Sequence, residues 1–384
     1  MPCTKTSTTS PRTLSSKRIH RIKCYNVGFG DCFLCKDADE NGSKMLVDFG
    51  GAQNFDAVKP DLLREFSTAN KKYLMLSHLH CDHYSGLKKI RAKRDKRLLQ
   101  FDEIYIPDYI GCGGIEFLGE LLLSTKNTYL LRLVRAILKI PDLLSGYITD
   151  ATQVHLLCQG NTISNTLCDF EVILPLQSNS FYAKKQELYE DAIHIFASEY
   201  KNLVRYHDEQ QTRGVLIHLH HGIGERIDSL INNLLEVATD ADPLTDDDML
   251  KDAFKDYHNS LSLAFHELSV DDSQNVLFLG DAVPTDISRI KTSFNERYCF
   301  VKVQHHGTKN HFSRVLPTAQ YYAISNGSSR NGWGITSLYD EHYGKHATFV
   351  CSNYINCDCI KCESRSKNHA VCGIAPLSET IDIP

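Results

Sequence analysis

The sequence predicts an α/β protein in which two strand-rich halves are separated by segments of helical character. Three observations predict it. Short apolar runs bounded by Gly, Asn or Asp recur in both halves, among them Cys32-Phe33-Leu34-Cys35, Met45-Leu46-Val47 and Val276-Leu277-Phe278-Leu279. Phe55 to Ala69 instead carries its apolar residues at helical spacing. Between them, the run Tyr73-Leu74-Met75-Leu76 delivers Ser77-His78-Leu79-His80-Cys81-Asp82-His83, where imidazoles and a carboxylate bunch after a strand.

A chain of 384 residues could form two average domains or one large α/β sandwich, and it needs no staples to hold its core. The net charge of −5 gives no overall basic field, so a polyanionic substrate would be held by a local patch and by bound metal. No run of eighteen apolar residues occurs and the first forty residues hold no segment of signal-peptide type; the chain reads as cytoplasmic, with no membrane partner. Residues 1–18 are expected to form a disordered tail, since Met1 to Ser16 is rich in Ser, Thr and Pro and poor in apolar groups. Its basic, acid-free composition would also suit a transit peptide, although no amphipathic helix is visible. Residues 19–350 read as the folded domain and 351–384 as a Cys-rich C-terminal segment.

From Ile19 the pattern is that of strands. Ile22 to Val27 and Cys32 to Cys35 flank Gly28-Phe29-Gly30-Asp31, and Met45 to Val47 follows the turn at Asn41-Gly42, which predicts a meander. The glycines beside Asp31 and after Asp48 let backbone approach a pocket closely, or simply make tight turns. Asp48 is positioned to hydrogen-bond a metal-bound histidine. A helix is expected over Tyr84 to Ile90, then a strand at Ile104 to Pro107. The intervening run Lys88, Lys89, Arg91, Lys93, Arg94, Lys96 and Arg97 is either a solvated face or a guide for a phosphate backbone. Gly113 to Gly146 carries a wide apolar helical face, and strands resume at Val154 to Leu157 and Phe170 to Pro175. Within Phe181 to Tyr257, Leu188 to Tyr206 and Ile223 to Val237 have helical spacing, which would put a helical insertion over the mouth of a site. His218, His220 and His221 read as structural. Asn259 to Phe265 alternates polar and apolar as a strand does, and Ala347 to Cys351 reads as a last strand. The fourteen cysteines of a chain without a secretion signal imply reduced thiols, and Cys357, Cys359, Cys362 and Cys372 could hold a structural zinc or remain free.

Four ligand-type residues within six positions point to a paired metal site. In an extended loop, side chains two apart point the same way, so His78 and His80 can grip one ion while Asp82 and His83 face a second. Asp281 ends the apolar run Val276 to Leu279, where a carboxylate is costly unless a cation satisfies it.

His78-Leu79-His80-Cys81-Asp82-His83 is similar to the H-x-H-x-D-H signature of the metallo-β-lactamase superfamily. Three further segments resemble the branch that includes the hydrolase domain of ComEC/Rec2 DNA-uptake proteins. Tyr25 to Phe33 with Met45 to Gly51 resembles its opening hairpin, Leu277-Phe278-Leu279-Gly280-Asp281-Ala282 its strand ending in a bridging aspartate, and Val301 to Thr308 its H-H-G-S/T element. The resemblance frames residues from about Cys24 to Gly327. It implies an αβ/βα four-layer sandwich with helical insertions at about 113–150 and 181–257. It also implies two divalent ions, zinc or manganese, held by His78, His80, Asp82, His83, Asp281 and His305. His305 is preferred over His306 as a ligand of the second metal, which leaves His306 as an outer partner or proton donor. Asn259 to Leu263 matches the N-x-x-S-L strand of the family, and His258 before it is a candidate third histidine. Thr308, where relatives commonly have Ser, keeps a hydroxyl that could meet a phosphoryl oxygen.

Cations held by such a set lower the pKa of a bound water and supply hydroxide at neutral pH, so no protein nucleophile is needed. The resemblance favours a phosphodiester substrate, DNA or RNA, with Asp82, His306 and Thr308 as the catalytic candidates. The alternatives are a phosphodiesterase of cyclic nucleotides or phosphorylcholine-type esters and a non-catalytic binding module. Oligomeric state is not legible.

Overall fold

The computed structural model describes residues 17–51, 54–108, 143–176, 259–269, 271–325, 338–343, 347–351, 371–372 and 378–383. Along the strand runs, successive side chains fall into different cores, as a period of two requires. In β2 (Phe33–Lys36), Phe33 and Cys35 face one core while Leu34 faces another; in β3 (Lys44–Val47), Met45 and Val47 part from Leu46 in the same way. Both faces are therefore buried, which explains why these runs are apolar almost throughout.

Fifteen strands of the described residues form two sheets. The first has the order β15-β1-β2-β3-β4-β5-β6 and the second β14-β13-β12-β11-β10-β9-β8-β7. In the first sheet β1 (Arg21–Tyr25), β2 and β3 form the expected antiparallel meander, and β4 (Lys72–Met75), β5 (Glu103–Pro107) and β6 (Gln153–Leu157) add in parallel. In the second, β7 (Thr162–Ser164), β8 (Asp169–Leu174), β9 (Ala264–Glu267) and β10 (Val276–Phe278) are antiparallel. There β11 (Arg297–Lys302), β12 (Thr318–Ile324), β13 (Thr348–Cys351) and β14 (Val371–Cys372) continue in parallel. At the far edge of the first sheet β15 (Ser378–Asp382) pairs with β1.

Three hydrophobic cores separate four layers. One lies between the sheets, where Phe33, Met45, Tyr73 and Tyr105 meet Phe170, Phe265, Phe278 and Phe300. A second joins the outer face of the first sheet to α1 (Phe55–Thr68) through Val58, Leu62 and Phe66 and to α2 (Cys81–Lys89) through Tyr84 and Leu87. The third joins the second sheet to α4 (Pro284–Ile290) and α5 (Leu338–Tyr343) through Ile287, Ile290 and Tyr339. This is the expected αβ/βα arrangement.

Three local readings change. The helix expected from Tyr84 begins at Cys81, inside the histidine loop. Asn259 to Phe265 is not one strand: Asn259 and Ser260 are helical, and β9 begins only at Ala264, because the polar residues turn towards the loop after β4, where Leu263 N–H donates to the Ser77 carbonyl at 2.7 Å. The strands β7, β12, β14 and β15 were not anticipated. The insertions between 113 and 142 and between 181 and 257, the histidines 218, 220 and 221, His258, Cys357, Cys359 and Cys362 lie outside the described residues, and Cys372 is described only as backbone in β14.

Candidate metal centre

The site forms where parallel strands of both sheets end. β3 stops at Val47, and Asp48 takes a φ of 58°, a left-handed conformation that Asp tolerates better than most side chains. That bend returns its carboxylate to the loop after β4. Ser77 N–H donates to Asp48 Oδ1 and the Ser77 hydroxyl to Oδ2, both at 2.7 Å, while Oδ2 lies 2.8 Å from His83 Nδ1. His80 caps α2 in extended conformation, so His78 and His80 enter along an extended lead while Asp82 and His83 occupy the first helical turn. A carboxylate there also suits the positive end of the helix. The Asp82 carbonyl packs so closely on the meander that a Cβ on Gly50 would sit 1.6 Å from it, so only glycine fits.

The second sheet brings Asp281 and the two histidines after β11. Asp281 Oδ2 is the hub, 3.8 Å from His78 Nε2, 3.5 Å from His83 Nε2, 3.7 Å from His305 Nδ1 and 3.3 Å from His306 Nε2. His306 Nε2 also lies 3.1 Å from Asp82 Oδ2, and His80 Nδ1 lies 3.0 Å from His78 Nε2. His305 (φ 46°), His306 (φ 56°) and Gly307 (φ 74°) form three left-handed residues in succession. This turn decides which of two adjacent imidazoles faces the cluster. It is His306 that stands against Asp82 and Asp281, whereas His305 flanks the hub with its Nδ1 3.2 Å from the Asn259 amide nitrogen and its ring stacked 3.5 Å from His311. Both rings thus border Asp281 Oδ2, His306 also facing Asp82. The Thr308 hydroxyl donates to the His305 carbonyl at 3.2 Å and lies 2.9 Å from His311 Nδ1.

Two residues escaped the sequence reading. Asp31 reaches the cluster from the loop before β2, with Oδ1 3.2 Å from His306 Nδ1, and it accepts a hydrogen bond from the Ser325 hydroxyl. Lys302, the last residue of β11, is buried and ion-paired with Asp31. A lysine within the apolar run Tyr298 to Val303 was the available signal, because a buried ammonium demands carboxylates nearby.

The electrostatics describe a place for positive charge. Burial alone would lower the His83 and His306 pKa values, but the Asp281 carboxylate outweighs it at both, aided by Asp48 at His83 and Asp31 at His306, so both rise well above the ordinary imidazole value. Burial lowers His80 and His305 to about 4, which favours their neutral form. Burial would raise Asp82, yet hydrogen bonding to His306 and the charge of His83 hold it well below the carboxylate range. His83 Nε2 and Asp281 Oδ1 are buried without hydrogen-bond partners. Asp31, His83, Asp281 and His306 each offer one ligand atom, all within 4.8 Å of one another. Imidazole nitrogens and carboxylate oxygens at this spacing fit a divalent cation.

Residues 25–105 match the family described as the metallo-beta-lactamase superfamily, and they span the opening meander, the histidine loop and β5. The two mixed sheets with helices on their outer faces are consistent with the α/β sandwich of a metallo-β-lactamase fold. Solved structures similar to the chain include the metallo-beta-lactamase fold protein YhfI from Bacillus subtilis. It is 12% identical with a TM-score of 0.38, over 87% of this chain and 98% of that one. Another is a long form RNase Z from yeast, 12% identical with a TM-score of 0.34, over 88% of this chain and only 41% of that one. No curated protein matches the chain. In this fold the ligand-type residues converge from both sheets, with His78, His80, Asp82 and His83 after β4, Asp281 after β10 and His306 after β11.

Proposed function

We propose that the chain is a metal-dependent hydrolase of phosphodiester bonds, acting on DNA or RNA. The match over residues 25–105 supports a hydrolase of the metallo-β-lactamase fold. The observation that carries the metal chemistry is the convergence of His78, His83, His305 and His306 on one carboxylate oxygen of Asp281, with His83 Nε2 and Asp281 Oδ1 buried and without hydrogen-bond partners. His83, His306, Asp82 and Asp281 would hold one divalent ion, and His78, His80 and Asp281, flanked by His305, a second. When bound, such ions supply an acidified water and positive charge against a phosphate oxygen.

The protein's own residues prepare the site for that. Asp48 holds the His83 ring through Nδ1 and leaves Nε2 facing inward; Asp31 does the same for His306. Burial favours neutral His80 and His305, the form that a metal ion binds. The phosphodiester part of the reading rests on the resemblance of the Asp281 and His305-His306-Gly307-Thr308 segments to the ComEC/Rec2 branch. It is also supported by a basic face, since Lys88, Lys89, Arg91, Lys93, Arg94 and Arg97 are exposed along the end of α2 and on α3 (Lys93–Leu98).

The test is cleavage of single-stranded DNA, double-stranded DNA and RNA with added Mn²⁺ or Zn²⁺, comparing the native chain with Asp82→Ala/His83→Ala. Metal-dependent cutting that the variant loses supports the nuclease. Intact nucleic acid with hydrolysis of bis-p-nitrophenyl phosphate would move the substrate to a small phosphodiester, and inactivity on both would end the reading.

A further inference from the structure

The residue least expected at this centre is a lysine. Lys302 is 1% exposed, and an interior ammonium is tolerated only where oxygens surround it. Its Nζ is ion-paired with Asp31, donates to the Gly280 carbonyl at 2.9 Å and stands 3.6 Å from Asp281 Oδ1. Asp31 comes from the first sheet; Gly280 and Asp281 follow β10 of the second. One ammonium therefore ties together the floor of the site across both sheets.

Asp31 falls within the set of ligand atoms, but both of its oxygens are engaged. One carboxylate oxygen lies 3.2 Å from His306 Nδ1 and accepts from Ser325, and the other meets Lys302. The contacts run from Lys302 through Asp31 to His306, whose Nε2 faces Asp82 and Asp281. Across the cluster, Asp48 supports His83 in the same manner, and the two aspartates bracket the hairpin of β2 and β3. The two supports differ in one respect: Asp48 is seated on the Ser77 backbone N–H and hydroxyl, whereas Asp31 is seated on a full positive charge.

We propose that Lys302 is a positioning residue of the metal centre: by neutralising Asp31 it keeps that carboxylate out of the ligand set and on His306 Nδ1, and it anchors the strand end that carries Asp281. This rests on the metal-centre reading above. Without the ammonium, Asp31 becomes an additional anion beside the ions and releases His306, whose ring then loses its orientation.

The experiment is calorimetric titration of Mn²⁺ and Zn²⁺ into the native chain, Lys302→Met and Lys302→Met/Asp31→Asn, with melting temperatures of the metal-free forms and ¹⁵N spectra of the histidine rings. The single variant strips the buried Asp31 carboxylate of its ammonium partner and is expected to melt lower and to bind at least about tenfold more weakly. The double variant buries no lone charge and is expected to regain the melting temperature without regaining the affinity, and the His306 ring nitrogens should shift in both. Stability and affinity thus separate, which a purely structural lysine would not produce. Native affinity in either variant, or affinity recovered together with stability, overturns the proposal; so does a double variant that fails to fold, which would make Lys302 a packing element. A native chain that binds neither ion removes the metal-centre reading itself, and with it this inference.

Discussion

At the scale of single residues, the centre depends on groups that never need to touch a ligand. Asp48 is the clearest. Asn at this position accepts the left-handed φ and keeps a carbonyl for the Ser77 N–H, but it removes the charge facing His83. Asp48→Asn is expected to weaken metal uptake by about 10- to 100-fold with the fold intact, measured by calorimetry beside circular dichroism. Away from the site, Glu267 is buried, accepts the Ile19 N–H at 2.6 Å and has its pKa pushed up to about 8 by burial. The folded chain thus holds a proton there that the unfolded chain releases near pH 4.5, so stability falls as pH rises from about 4.5 to 8 and levels off above. Glu267→Gln keeps an acceptor for Ile19 and should be the more stable protein at pH 8 by on the order of 2 kcal/mol, with little difference at pH 5. Denaturant melts at both pH values check this. The sequence showed Asp48 as a support because it follows a strand just as the histidine loop does. Asp31 stayed hidden because its partner His306 lies 275 positions away, and only the packing of one sheet on the other brings them together.

At the scale of elements, the histidine motif was legible because its chemistry is local: four ligand types share one strand end and one helix start. What the motif could not tell was the course of the backbone through it. The helix begins at Cys81 because the Asp82 carbonyl and the glycines of the meander pack without any side chain between them. Gly50→Ala would force a Cβ to within 1.6 Å of that carbonyl and should cost about 3 kcal/mol or more, displacing Asp82. The expected outcome is a lowered melting temperature together with weakened metal uptake, and a melting temperature equal to the native one would show the loop to be more yielding than its packing indicates. The orientation of His305 and His306 was illegible for a similar reason. Adjacent imidazoles exchange places according to the sign of φ, and a sequence carries no direct mark of that sign at a non-glycine residue.

At the scale of the whole molecule, alternation of apolar residues and the order of the elements were enough to expect four layers. The strands β7, β14 and β15 were missed because each lies at a sheet edge and the first two span only two or three residues, where periodicity is weak; β12, inside the second sheet, was missed because exposed Thr318 and Gln320 break its apolar run. Because the ligands come from both sheets, metal uptake should stabilise the entire domain. At a free ion concentration 100 times the dissociation constant the gain is about 2.7 kcal/mol, read as a higher melting temperature that EDTA reverses. The pH dependence has a definite sign. His83 and His306 are protonated in the metal-free centre and must release protons to bind an ion, so the stabilisation should grow as pH rises from 6 to 8. Titrations in buffers of different ionisation enthalpy should show a net release of about one to two protons. A gap in melting temperature that narrows with rising pH would contradict that account.

The three left-handed residues at 305–307 also bear on how this chain can change over generations. Two of them carry imidazoles where glycine would relieve a strain of about 1–3 kcal/mol apiece. A lineage that ceased to use the centre would have less to lose from glycine at His305, whereas glycine at the buried His306 would leave the carboxylates of Asp31, Asp82 and Asp281 without their imidazole partner. Drift at His305 should therefore be the earliest trace of lost chemistry among descendants of the sequence, ahead of any change in the histidine loop or in the cores that hold the sheets together.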